Sequence, residues 1–134
     1  MEILSDDQCF VCGPANSHGL HADFIVDKEE HRAHCTLPIP SRFQGWQGLV
    51  HGGILAALLD EAGIYACRAT GEHFVTAELT VKYKLPVPVE TELLISAEVL
   101  EQKRKIYFVQ ARIEAGGKVL AESTSRIFEI SSKG

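Results

Sequence analysis

HGGILAALLDEAGIYACRA, residues 51 to 69, is the stretch on which the fold turns. From Ile54 to Ala69 it offers about 16 residues of strong helix formers without a proline, and Thr70-Gly71 then supplies a glycine suited to a left-handed helix end. Ile54, Leu55, Leu58, Leu59, Ala62, Ile64 and Tyr65 make this helix apolar nearly all round, so it must be enclosed. No other stretch reads as a long helix.

Downstream the period changes from 3.6 to two. Val75, Ala77, Leu79, Val81, Tyr83 and Leu85 fall on one side of an extended chain, with Thr76, Glu78, Thr80, Lys82 and Lys84 on the other. The pattern recurs in Leu93, Ile95, Ala97 and Val99, in Tyr107, Val109, Ala111 and Ile113, and from Lys118 to Ile130. Turns at Pro86 to Glu90, Gln102 to Lys105 and Gly116-Gly117 separate these runs, which predicts an antiparallel meander of four strands. Upstream, Leu20 to Leu37 predicts a first hairpin turning at Asp27 to Glu30. Pro38 to Leu49, mixing Pro, Gly and aromatic residues without period, predicts a loop packed by Phe43 and Trp46. One helix cannot supply the crossovers of a parallel sheet. The class is therefore α+β, with about six antiparallel strands and one central helix.

Length and charge narrow the function classes. A chain of 134 residues makes one domain, with residues 1–19, rich in turn formers such as Gly13, Pro14 and Asn16, as a segment packed on the domain spanning 20–134. Thirteen basic against 18 acidic residues give a net charge of -5, and no basic face is visible that could neutralise a row of phosphates, so nucleic acid is not an expected partner. The opening Met1 to Asp7 lacks the layout of a signal peptide, and no apolar run approaches the roughly 18 residues of a membrane span. A cytoplasmic protein without membrane insertion is expected. Cys9, Cys12, Cys35 and Cys67 are too few and too scattered for a disulfide framework and are read as reduced thiols.

The chemistry concentrates in His51 to Ala62. Gly52 and Gly53 leave the first amides of the helix unshielded, and orphan N–H donors at the positive end of a helix dipole favour a developing oxyanion; a tight loop-to-helix turn is the plainer account of the same pair. Asp60 sharpens the choice, because a carboxylate inside an apolar helix costs free energy unless it is paired or used. On the helical wheel it stands over Gly53, Ala56 and Ala57, a stripe of small residues with room for a ligand or another backbone, while Glu61 stands over Ile54, Ala57 and Leu58. An exposed helix face, or an ion pair such as one with Arg68, is the alternative. Asp60 and Gly53 lie about 10 Å apart along one helix at 1.5 Å per residue. If both act on one carbonyl group, the carboxylate must meet the glycine amides of a second subunit, which predicts a symmetric homodimer with two composite sites.

The spacing HGGILAALLDEA, the single long helix and the antiparallel sheet together resemble the hotdog fold, in particular acyl-CoA thioesterases of the phenylacetic-acid-pathway type within the 4-hydroxybenzoyl-CoA thioesterase superfamily. The resemblance runs from about Cys9 to Ile130 and takes in the opening CFVCGPANSHGL. It implies a sheet wrapped round the helix, paired subunits that often join as a dimer of dimers, and an acyl-CoA substrate cleaved without metal or other cofactor. By the same resemblance Asp60 is general base or nucleophile, the amide of Gly52 or Gly53 is the oxyanion contact, and His51 holds the turn or the substrate carbonyl. Thr76 matches the position that aligns water, although simple alternation puts it on the polar face. The Asn or Gln that relatives carry six residues before the histidine is replaced by Gly45, with Gln44 and Gln47 beside it.

Further candidates follow from that reading. Trp46, Phe43 and Tyr65 are candidates for an acyl pocket or for core, and Glu61 and His73 for its lining. Lys103-Arg104-Lys105, with Lys82 and Lys84, either meets the phosphates of coenzyme A through Arg104 and Lys82 or forms a solvated turn and strand face. Cys9 and Cys12 have the spacing of a metal or redox pair, but no second cysteine pair follows and His18 and His21 complete no recognised spacing, so no metal is expected. A non-catalytic acyl-CoA-binding protein and a hydratase or dehydratase on the same fold are the competing functions.

Overall fold

The computed structural model describes residues 3 to 130; the expected domain limits at residues 1 and 134 lie outside them. Six strands form one antiparallel sheet: β1 (Ile25–Asp27), β2 (Arg32–Pro38), β3 (Phe74–Tyr83), β4 (Glu92–Lys103), β5 (Ile106–Ala115) and β6 (Lys118–Glu129), in spatial order β1-β2-β4-β5-β6-β3. Helix α1 (Gly52–Cys67) lies on the inner face and touches every strand. This is the hotdog architecture that the resemblance implied.

The alternation read from β4 and β5 is the one observed. Leu93, Ile95 and Ala97 with Tyr107, Val109, Ala111 and Ile113 are buried, and they close over Leu55, Leu58, Leu59, Ala62 and Ala66 of α1. Strand β6 contributes the small inward residues Ala121, Ser123 and Ser125, which let the helix approach. At Gly63 the approach is close: an added Cβ would stand 3.3 Å from Ile127 Cδ1 and 3.4 Å from Val109 Cγ1. Excess volume there would push helix and sheet apart.

Four sequence expectations are corrected. The four later strands do not form one meander, since β3 pairs with β6 at the far edge while β4 pairs with β2. The segment between β3 and β4 carries Pro86 and Pro88, which cannot donate to a ladder, and buries Val87 on its way back across the sheet. The first hairpin is shorter than expected: β1 keeps three residues, and Asp27 Oδ1 accepts the amides of Glu29 and Glu30 at 3.1 Å to close the turn. Phe43 packs on the core, but Trp46 is 85% exposed. Gly71 is not in the left-handed region; α1 ends at Cys67, and a Cβ on Gly71 would stand 2.6 Å from Glu129 Oε2 and 3.0 Å from Phe74 Cζ.

A β-bulge in β3 decides what faces the helix. Thr76 is opposite Ile127 and Glu78 is opposite Arg126, so Ala77 is the extra residue. Opposed residues in a ladder share a face. Before the bulge Thr76 therefore points inward with the fully buried Ile127. Beyond it Leu79, Val81 and Tyr83 take the inner face opposite Ser125, Ser123 and Ala121. The unbroken alternation from Val75 to Leu85 is thus corrected, and Thr76 leaves the polar face to which simple alternation assigned it.

Truncating the packed centre should dominate stability. Leu58→Ala is expected to lower the free energy of unfolding by about 2–5 kcal/mol, whereas Leu4→Ala, 79% exposed, should change it by less than about 0.5 kcal/mol. Urea denaturation of the two variants checks this ordering.

Candidate active site

The site begins where the chain enters α1. His51 is the N-cap: its backbone is extended and its Nδ1 accepts the Gly53 amide at 2.9 Å, while its carbonyl accepts the amides of Ile54 and Leu55 at 2.9 and 3.2 Å. Three of the first four helix amides are engaged in this way. The Gly52 N–H has no hydrogen-bond partner among the described residues and sits at the positive end of the helix dipole. Of the two glycines that the sequence offered as oxyanion donors, Gly53 has its amide taken by His51.

Side chains around this turn fix its position. Tyr83, at the end of β3, donates its hydroxyl to the Gly52 carbonyl at 2.9 Å, and a Cβ on Gly52 would lie 3.4 Å from the phenol ring. Nothing in the sequence pattern singled out Tyr83 for this contact. Gly45 backs against His51, where a Cβ would stand 3.2 Å from its Cα and Cδ2; this is the position at which relatives were expected to carry an amide side chain. The amide of Gln44 is turned into its own loop, accepting the Gly48 N–H at 3.0 Å, and Gln47 is exposed. Gly45, Trp46, Val50, His51 and Gly52 line a hollow of about 400 Å³ at the helix start.

Two turns along the helix stands Asp60, half-buried, with Thr76 donating its hydroxyl to Oδ1 at 2.5 Å. Burial raises the pKa of this carboxyl above its ordinary value, the Thr76 hydrogen bond pulls it down in part, and the neighbouring charge of Glu61 adds to the rise. Arg68 is not its partner; the guanidinium lies over the Tyr65 ring, 4.4 Å from the centroid. Gly53 is exposed, and Ala56, Ala57 and Asp60 are half-buried, so this stripe of α1 is open. Beside it runs β3, a ten-residue edge strand with no neighbour on its outer side among the described residues.

Other predicted site residues lie apart from these contacts. Lys82 is on the outer face opposite Glu122, and Arg104 occupies the β4–β5 turn with φ of 57°. His73 precedes β3, with Nε2 3.9 Å from Glu72. Glu61 turns away from Asp60 toward the N-terminal segment, where its Oε2 accepts from the Cys9 thiol at 3.2 Å. Cys9, Cys12 and Glu61 place their ligand atoms within 4.8 Å of one another. Sequence reasoning missed this group because Glu61 is 52 residues from Cys9. All four cysteines are unpaired in this structure.

Comparison with known proteins identifies the lineage of this arrangement. A family model described as Thioesterase superfamily matches residues 47–122, from the loop before the helix to β6. The chain belongs to the thioesterase superfamily. Among its relatives within and beyond that match is the bovine acyl-coenzyme A thioesterase THEM4, 28% identical over 114 residues, covering 85% of this chain and 47% of the relative. The chain therefore spans about half the length of that protein. The Escherichia coli PaaI protein from the phenylacetic acid degradation operon superposes with a TM-score of 0.76 at 25% identity, over 84% of this chain and 81% of that one. A thioesterase superfamily protein, RHA08564, has the same fold with a TM-score of 0.84 at 22% identity, over 92% and 61%. No helix among the described residues is long and apolar enough to cross a membrane.

The raised pKa of Asp60 carries a stability consequence with a definite sign. Its folded pKa lies above its ordinary value of 3.8, so the favourable contribution of the protonated form is complete below 3.8 and is lost as pH rises through the folded pKa. At neutral pH the ionised carboxylate therefore weighs against the fold. Asp60→Asn is expected to melt above the parent at pH 7, with the gap closing as pH falls toward 3.8; thermal melts across that range measure it.

Proposed function

We propose that this protein is an acyl-CoA thioesterase that hydrolyses a thioester to the free acid and coenzyme A in composite sites of a homodimer. The carrying observation is a half-buried carboxylate, Asp60, on an open stripe of small residues beside an unpaired sheet edge, too far along its own helix to serve the free Gly52 amide. Eight residues of helix separate the two by about 12 Å. A second copy laid across the open stripe, β3 against β3, extends the sheet and brings Asp60 of one protomer toward Gly52 of its partner.

In this reading the thioester carbonyl oxygen accepts the Gly52 N–H, and the helix dipole stabilises the negative charge that grows on that oxygen in the transition state. Asp60 takes a proton from water as the water oxygen bonds to the carbonyl carbon. Collapse of the tetrahedral species breaks the carbon–sulfur bond, releasing the thiolate, and the proton passes from Asp60 to solvent or to the departing sulfur. Direct attack by Asp60, forming a mixed anhydride that water then opens, uses the same geometry. Thr76 fixes the carboxylate's orientation, and His51 holds the Gly52-Gly53 turn. Trp46, exposed at the hollow beside Gly52, is assigned to the acyl group, and Lys82 and Arg104 to the phosphates of coenzyme A. A dimer of dimers and a cytoplasmic location complete the proposal.

Release of free thiol from a panel of acyl-CoAs tests it. Asp60→Asn should lower kcat by at least about 100-fold while sedimentation still reports the dimer; normal hydrolysis by this variant, or by a monomeric species, would overturn the reading. Thr76→Val should leave part of the activity and shift its acidic limb to higher pH, because the lost hydrogen bond is the contact that lowers the Asp60 pKa. A pH–rate profile that stays in place would remove Thr76 from the role of positioning residue.

A further inference from the structure

The N-terminal segment meets the central helix through an unusual set of side chains. Cys9-Phe10-Val11-Cys12 forms a turn in which the Cys12 amide points at Cys9 Sγ from 3.5 Å and the Gly13 amide closes on the Cys9 carbonyl at 2.8 Å. Amides of Leu20 and Ala22 clasp the carbonyls of Phe10 and Val11 at 2.8 Å each, and Val11 is buried, so the turn is held firmly against the domain. Both thiols face Glu61, whose carboxylate receives the Cys9 S–H at 3.2 Å. Among the described residues no lysine, arginine or histidine forms an ion pair with Glu61.

We propose that Cys9, Cys12 and Glu61 form a binding site for one thiophilic divalent cation of the zinc type, which fastens the N-terminal segment to α1. Two sulfurs and a carboxylate oxygen suit zinc, and in tetrahedral coordination with Zn–S near 2.3 Å neighbouring donors stand roughly 3.5–3.8 Å apart. The three donor atoms lie within 4.8 Å of one another, so small side-chain rotations close the set. Water or the Tyr65 hydroxyl, which neighbours the Cys12 thiol, supplies the fourth ligand. The Cys12 amide aimed at Cys9 Sγ is the kind of outer contact that favours a thiolate ligand. Coordination releases one proton from each thiol, and the resulting two thiolates and carboxylate offset the charge of the cation. Without the cation the Cys12 thiol stays protonated, pushed up to about 12 chiefly by burial and next by its contact with Glu61. The site stands apart from the hydrolytic reading, and its test does not depend on turnover.

The experiment is titration of the reduced protein with Co²⁺ under anaerobic conditions, followed by displacement with Zn²⁺. Thiolate-to-cobalt charge-transfer bands and tetrahedral d–d bands should saturate at one Co²⁺ per chain, vanish as Zn²⁺ displaces the probe, and accompany a rise in melting temperature. Cys9→Ser and Cys12→Ser should abolish the charge-transfer bands or weaken binding at least tenfold. Glu61→Gln, which keeps size and hydrogen bonding, should retain the native circular dichroism and bind at least tenfold more weakly. Absence of saturable bands in the reduced protein overturns the proposal, as do bands unchanged in Glu61→Gln or in the cysteine variants. Formation of a Cys9–Cys12 disulfide in air without any cation binding by the reduced form also overturns it.

Discussion

Moving a carboxylate out of water costs several kcal/mol in a protein interior, and a hydrogen bond to a charged group returns about 1.5–3 kcal/mol. Asp60 lives inside that imbalance. It sits on a helix whose other faces are filled with Leu55, Leu58, Leu59 and Ala62, and Thr76 is the side chain that answers it. The compensation is partial, so the carboxyl remains a stronger base than a solvated aspartate. Yet the group is neither sealed in the core nor exposed enough to be fully hydrated. A residue in that condition is useful where something else completes its surroundings, and the open stripe of Gly53, Ala56 and Ala57 beside it leaves the space.

The fold maintains this condition through two departures from regular structure. The bulge at Ala77 reverses the alternation of β3, turning Thr76 toward the helix while Val81 and Tyr83 keep their inward positions further along. A regular strand would have sent either Thr76 or Tyr83 outward. Because both face inward, one strand holds the helix at two points, by its Asp60 carboxylate and by its Gly52 carbonyl. The second departure is topological. Strand β3 leaves the sequence of neighbours and takes the sheet edge, so the polar backbone of the strand next to the site lies open along its outer side. An edge of that length invites pairing.

Most of the fold was legible because its determinants are periodic. The helix announces itself by composition and by the absence of proline, and β4 and β5 by alternation that burial reproduces residue for residue at Leu93, Ile95, Ala97 and Tyr107 to Ile113. Asp60 and the glycine pair were legible as exceptions to such patterns. What escaped was non-local or non-periodic. A bulge inserts one residue without a distinctive side chain, so Ala77 looked like an ordinary member of the apolar row. Strand order is set by which ladders close: two prolines between β3 and β4 look like a turn until the packing of Val87 shows a crossing. The choice between Gly52 and Gly53 depends on a single imidazole rotamer at His51. Local sequence cannot specify that choice.

The adjacency of Asp60 and Glu61 joins the two halves of the molecule. Consecutive residues on a helix diverge by about 100°, so the acids address different partners: Asp60 reaches β3 and the open stripe, and Glu61 reaches the cysteine turn of the N-terminal segment. They are still close enough for the charge of Glu61 to raise the pKa of Asp60. Whatever holds a positive charge against Glu61 therefore also favours the ionised form of Asp60, and whatever removes it has the opposite effect. The N-terminal turn is thus coupled electrostatically to the half-buried carboxyl of Asp60. The coupling acts through space between the carboxylates of adjacent residues and needs no movement of the sheet.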